Sequence, residues 1–153
     1  MEKVILEQIS VSASQTEEIA ACFAKELLSK DARGVFVAMF GDLGTGKTAF
    51  VRGFCSAVCP QSRVFSPTFA IINEYRGGDV PVFHFDVYRI TDDDDLYSTG
   101  FYEYLEREEG IILCEWCENI PFALPDDRYE IRIEKTDPEN HPDHRRILIS
   151  EHK

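Results

Sequence analysis

The sequence predicts an α/β fold, a three-layer sandwich around a mixed, mainly parallel central sheet, and three features carry that prediction. Two runs, Val35 to Phe40 and "GIILCEW" from Gly110 to Trp116, are continuous apolar stretches of strand length, the pattern of parallel strands buried on both faces. A helical pattern follows the first of them across a glycine-rich turn. The chain closes on two alternating segments, "YEIRIEK" and "RRILIS", which predict a terminal antiparallel pair.

The elements follow in order. "KVILEQISVS" alternates like an edge strand, and "SASQTEEIAACFAKELLSK" reads as a helix capped by Ser14, with Glu17 three residues on completing a capping box. Ile19, Phe23 and Leu27 form its apolar face. After "DARG" comes the buried strand Val35 to Phe40, then the turn "GDLGTGKT", then a helix from Lys47 through Val58 that ends before Pro60. "TFAIINEY" and "VPVFHFDVY" flank "RGGD" as two strands of a hairpin. The acidic run "TDDDD" precedes a short helical region, "LYSTGFYEYLEREEG", broken by Gly100. No repeat, low-complexity linker or composition break divides the 153 residues, so the expectation is one domain over residues 1–153.

The chain carries 28 acidic and 16 basic residues, a net charge of -12, which disfavours a long basic footprint for nucleic acid or an anionic membrane. "MEKVILEQIS" has too short an apolar run for a signal peptide, and no segment approaches the length of a membrane span, so a cytoplasmic protein is expected. Five cysteines in such a chain point to reduced thiols. Cys114 and Cys117 form C-x-x-C, and Cys55 and Cys59 a second pair. A redox or zinc site on these pairs is weighed against small buried hydrophobes, and the second account is preferred because the predicted strand and helix bury them.

Gly41, Gly46, Lys47 and Thr48 fit G-x-x-x-x-G-K-[ST] at every fixed position. Glycines let successive N–H groups turn inward as an anion nest, and the following helix adds the positive end of its dipole. Lys47 would reach the β and γ phosphates of a nucleotide, and the Thr48 hydroxyl would ligate Mg²⁺. This makes the expected fold a P-loop NTPase-type sandwich. Such a site needs acids near the metal and the attacking water, commonly at the end of another buried strand. Glu115 in "GIILCEW" and Asp86 in "HFDVYR" both end apolar stretches; one would contact Mg²⁺ through water and the other would orient or activate the nucleophile. Ser66 and Thr68 in "FSPTF" present hydroxyls in a switch-like loop, although a loop-to-strand corner explains them equally well. His84 is expected to pack or hydrogen-bond beside Asp86, and the acidic run Asp92 to Asp95 to be solvated near a helix start.

The ordered set "GDLGTGKTAFVRG", "SPTFAIINEY", "HFDVYR", "CEWCEN" and "LPDDRYEIRI" resembles the bacterial TsaE family, the P-loop ATPase of tRNA threonylcarbamoyladenosine biosynthesis. The resemblance runs from about the first helix to the penultimate strand. It implies an ATPase that joins two partners, TsaB and TsaD, with tRNA held only indirectly, and whose hydrolysis drives or resets that assembly. It further implies that Asp42, Leu43, Gly44, Thr45, Gly46, Lys47 and Thr48 hold ATP, that Thr48 and Glu115 hold Mg²⁺, and that Asp86 is a catalytic or metal-linked acid. Lys47, Asp86 and Glu115 are the implied catalytic set. Ser66 and Thr68 would belong to the switch, and Trp116 to a functional surface, with a core tryptophan as the competing account. Cys117 stands where the family often has proline, and Thr45 where alanine is more usual. The alternatives are a small-molecule kinase, for which no arginine-rich lid is visible, and a GTP-driven switch, for which no Asn-Lys-x-Asp guanine reader exists.

Overall fold

Alternation along β2 (Val35–Phe40) sets the layering of the computed structural model, which describes residues 2–41, 46–60 and 72–153. Val37 and Met39 enter a core beneath α1 (Ala13–Leu28) and α2 (Lys47–Val58), while Phe36 and Ala38 enter a second core on the opposite face. The second core is covered by α3 (Asp93–Tyr97), α4 (Phe101–Arg107) and single 3-10 turns at Cys117–Asn119 and Pro121–Ala123. A strand with apolar side chains on both faces requires a layer on each side, which is why an uninterrupted apolar run forms here.

The sheet has seven strands in the order β1-β7-β6-β2-β5-β4-β3, with β1 (Glu2–Ser10), β3 (Ile72–Tyr75), β4 (Val82–Asp86), β5 (Ile111–Glu115), β6 (Arg128–Asp137) and β7 (His141–His152). The expected mixed sheet is therefore present. Parallel pairing occupies the centre, β6-β2-β5-β4, and antiparallel pairing the flanks, where β1 meets β7, β7 meets β6, and β3 meets β4. The terminal pair extends further than "YEIRIEK" and "RRILIS", because the two strands stay in ladder contact from Arg128↔His152 to Asp137↔His141.

Two local details differ from the sequence reading. The cap of α1 is Ser12, whose side chain accepts from the Gln15 backbone N–H at 3.0 Å, and Ser14 lies inside the helix. The Gln15 side chain accepts the Val11 N–H at 2.7 Å, one residue before the cap, so a reciprocal variant of the box forms two residues earlier, with Gln15 in the place expected of Glu17. The acidic run does more than precede a helix: Asp92 caps α3 and Asp93 to Asp95 fill its first turn, where carboxylates face the positive end of the helix dipole. Gly100, in the left-handed region at φ 85, separates α3 from α4 as expected.

The α1 face Ile19, Phe23 and Leu27 is buried against α2, whose Phe50 and Phe54 are fully enclosed. Burial of one such side chain contributes about 1.5–3 kcal/mol. Close approach of the two helices depends on Gly53, where a Cβ would stand 2.2 Å from the Glu17 carbonyl oxygen. This packing fixes α2 against β2, and with it the position of Lys47 at the helix start.

The preferred account of the cysteines agrees with the structure. Cys55, Cys59, Cys114 and Cys117 are buried and unbridged, and Cys22 is exposed. The neighbouring Cys59 thiol and burial push the Cys55 thiol up, and burial does the same for Cys114, so both stay protonated at neutral pH. Among the described residues no group of three or more His, Cys, Asp or Glu side chains is arranged to hold a metal, and no helix is long and apolar enough to cross a membrane.

Candidate functional site

Because β2, β4 and β5 run parallel, their C-terminal ends open on the same edge of the sheet, the usual location of ligands in α/β folds. β2 delivers Gly41 there, β4 delivers Asp86 and β5 delivers Glu115. Register places Asp86 directly opposite Glu115, so two acids separated by 29 positions in the chain are cross-strand neighbours. Val82, Ile111 and Leu113 point into the α1/α2 core. By alternation His84, Asp86 and Glu115 lie on that same face, the side on which α2 begins.

Lys47 is the first residue of α2 and is buried, with its ammonium donating to the Gly41 carbonyl at 2.5 Å. The same ammonium lies 3.7 Å from the centroid of the Trp116 ring. Gly46 precedes it in the left-handed region at φ 102, a backbone state that side chains rarely adopt and that glycine allows. Thr48 follows on the first turn of the helix, half-buried. Asp42, Leu43, Gly44 and Thr45, and the switch candidates Ser66 and Thr68, lie outside the described residues.

Glu115 is only 5% exposed and His84 1%. As expected, His84 is packed and hydrogen-bonded beside Asp86; its Nε2 is 2.6 Å from Oε2 of Glu115, the acid on the adjacent strand. Register pairs His84 with Leu113, so Glu115 is its diagonal neighbour on the same face. Asp86 is half-buried and accepts the Tyr88 backbone N–H at 3.0 Å. Partial burial holds its carboxyl above the usual carboxylate range, against the pull of the Tyr88 bond, and nearby Glu115 adds to the rise.

Trp116 is neither a core residue nor a freely exposed one. It adopts a left-handed conformation at φ 65, is half-buried, and packs at a tilt with its centroid 4.7 Å from that of the Tyr88 ring while Lys47 covers it. The strained turn aims the ring back across the strand ends.

Three site residues escaped the sequence reading. Glu118 accepts the Gly41 N–H at 3.2 Å and anchors the first residue of the glycine turn. Arg145, from β7, brings Nε to 3.9 Å from where a Gly46 Cβ would stand, so a cation borders the turn. Tyr88 supports both Asp86 and Trp116. Nothing local marks Glu118 or Arg145, since both reach the turn through tertiary contacts; Tyr88 sits two residues after Asp86, a spacing that could have flagged it.

The residues suit a magnesium nucleotide. A helix start, a left-handed glycine, a buried lysine and two acids at parallel strand ends bring groups of opposite sign, of the kinds that bind anions and metals, to one edge of the sheet.

Comparison with known proteins shows the family. The family model for "Threonylcarbamoyl adenosine biosynthesis protein TsaE" matches residues 10–147. The tRNA threonylcarbamoyladenosine biosynthesis protein TsaE of Bacillus subtilis (strain 168) is 38% identical over 129 residues, covering 82% of this chain and 75% of that protein. The protein of the same description from Rickettsia conorii is 32% identical over 127 residues, covering 82% and 69%. The crystal structure of Bacillus subtilis YdiB superposes with a TM-score of 0.78 at 31% identity, covering all of this chain and 88% of the other. With a family model spanning most of its length and relatives above 30% identity at both sequence and structural level, the chain belongs to the TsaE family.

Proposed function

We propose that the protein binds Mg·ATP and hydrolyses it to ADP and phosphate in the service of tRNA threonylcarbamoyladenosine biosynthesis, acting on an assembly with TsaB and TsaD. The observation that carries the reading is the convergence of Lys47, Asp86 and Glu115 at the C-terminal ends of parallel strands beside Gly41 and Gly46. Family membership supports the pathway, and the resemblance of the ordered motifs supports the two partners.

In this reading the segment Asp42 to Thr48 would hold the phosphates, and Lys47 would leave the Gly41 carbonyl and the Trp116 face to neutralise the β and γ phosphates. Thr48 and Glu115 hold Mg²⁺, which when bound spreads the negative charge developing on the phosphate oxygens. Asp86 orients the attacking water and accepts its proton, a role suited to a half-buried carboxylate whose basicity burial has raised. Ser66 and Thr68 would report the γ phosphate to the partners. Trp116, tied to Lys47, lies where nucleotide state can be passed to the surface.

The test is Mg²⁺-dependent phosphate release from ATP, by the protein alone and with TsaB and TsaD, using Lys47→Ala as the blank. Stimulation by the partners that vanishes in the variant is the expected result. Turnover indifferent to the partners would favour a small-molecule kinase and direct the search to phosphate acceptors.

A further inference from the structure

The buried imidazole of His84 has no place in the chemistry described above, yet it holds the acid on which that chemistry depends. Glu115 ends β5 with its carboxylate almost wholly removed from water, and among the described residues His84 Nε2 supplies the hydrogen bond it receives, at 2.6 Å to Oε2. A buried carboxylate with no donor would be driven to rotate towards solvent or to lose its charge.

The donor itself is immobilised. His84 lies in the middle of β4 and is paired in register with Leu113 of β5 and Asn73 of β3. Its ring stacks at a tilt 6.3 Å from Tyr75, and its flanking residues Phe83 and Phe85 are locked into the opposite core. The other nitrogen, Nδ1, is buried and has no hydrogen-bond partner among the described residues. A carboxylate oxygen accepts, so Nε2 is the donor in the bond to Oε2. An interior position filled by a half-satisfied imidazole, where Phe or Leu would pack without penalty, is explained by the single bond it makes.

We propose that His84 is a positioning residue of the hydrolytic site: it pins Oε2 of Glu115 so that Oε1 is presented to the magnesium shell, in the manner of outer partners that orient metal-ligating side chains. The inference rests on the proposed Mg·ATP site. It adds a requirement that the motif does not contain, an N–H donor at position 84.

The test compares wild type, His84→Leu and His84→Gln. Leu keeps apolar bulk and removes the donor, whereas the Gln amide places an N–H close to the position of Nε2. ATPase rates are read as kcat and KM, and affinity for a fluorescent ATP analogue is measured with Mg²⁺ and with EDTA. Expected for His84→Leu is a fall of about 10-fold to 100-fold in kcat or in apparent Mg²⁺ affinity. Analogue affinity in EDTA should be unchanged and His84→Gln should recover most of the loss. Equal loss in Leu and Gln variants, or loss of analogue affinity in EDTA as well, would reduce His84 to a packing residue and overturn the proposal. So would undiminished turnover by His84→Leu. If Leu fails to fold, the Gln variant decides: near wild-type kcat and Mg²⁺ dependence supports the donor role, and a kcat defect in a folded Gln variant opposes it. Absence of Mg·ATP binding by the wild type itself would remove the underlying site, a failure distinct from any in which only the variants behave unexpectedly.

Discussion

The Lys47 ammonium lies 3.7 Å from the centroid of the Trp116 ring while it donates to the Gly41 carbonyl. A cation shared between a carbonyl and an aromatic face is held by contacts worth about 0.5–2 kcal/mol on the ring side, small enough for a phosphate to displace. Trp116 is the single tryptophan of the chain. Saturation with Mg·ATP is therefore expected to change the intrinsic emission, and Lys47→Ala to abolish the change while weakening ATP binding by about 10- to 100-fold. An emission spectrum indifferent to bound nucleotide would show that the lysine does not leave the ring.

Asp86 and Glu115 face each other across parallel strand ends, and the proposed hydrolysis gives them different roles. Asp86→Ala and Glu115→Ala are each expected to lower kcat by about 100-fold or more while leaving the KM for ATP little altered, as removal of a transition-state contact requires. Single-turnover phosphate release at saturating ATP checks the prediction. A defect carried wholly by KM in both variants would reassign the pair to ground-state binding.

The raised carboxyl of Asp86 has a consequence for stability. A group whose folded-state pKa lies above its unfolded value favours folding when protonated; that contribution is full below the unfolded pKa and is lost as pH rises through the folded one. At neutral pH the ionised side chain works against the fold. Asp86→Asn cannot ionise, and its carbonyl oxygen can still accept the Tyr88 N–H. The nucleotide-free variant should melt a few degrees higher than wild type near neutrality, with the gain shrinking towards about pH 3, where both side chains are neutral. Thermal melts across that range measure it, and a gain that grows in acid would reverse the sign assigned to Asp86.

Gly53→Ala is expected to destabilise the protein by about 1–3 kcal/mol, the usual cost of overpacking. In an open helix the same change would stabilise by about 1 kcal/mol. The sign reverses because the new Cβ would stand 2.2 Å from backbone of α1, which cannot rotate away. Urea unfolding distinguishes the two outcomes.

One thiol, Cys22, is expected to react rapidly with an aromatic disulfide reagent in the native protein, and all five after unfolding. The other four are buried, and Cys117 donates its S–H to the Cys114 carbonyl at 3.1 Å. Rapid native titration of both members of C-x-x-C would revive a redox role for that pair.

Much of this architecture is legible before any coordinates. Val35–Phe40 and Lys47–Val58 emerge with the bounds their patterns predict, because a continuous apolar run and a 3.6-residue repeat are local properties. Pro60 stands just past the end of α2, and Gly100 stands between α3 and α4 as the N-cap of the second, where their backbone preferences put them. The cap of α1 was less legible: Ser10, Ser12 and Ser14 are chemically equivalent in sequence, and the point at which the chain leaves β1 chooses among them. Lys47, Asp86 and Glu115 are identifiable from the residues flanking them, whereas the partners of each are not.

The sequence by itself determined that a strand, a glycine turn and a helix with Lys47 at its start would follow one another, since glycine freedom and apolar periodicity act over a few residues. It also determined that acids would end two apolar runs. Tertiary structure alone decided that those acids meet, that His84 bonds to Glu115, 31 residues away, and that Trp116 receives Lys47. These contacts depend on the order and register of β2, β5 and β4, which the packing of two cores selects over the whole chain and which no local pattern encodes.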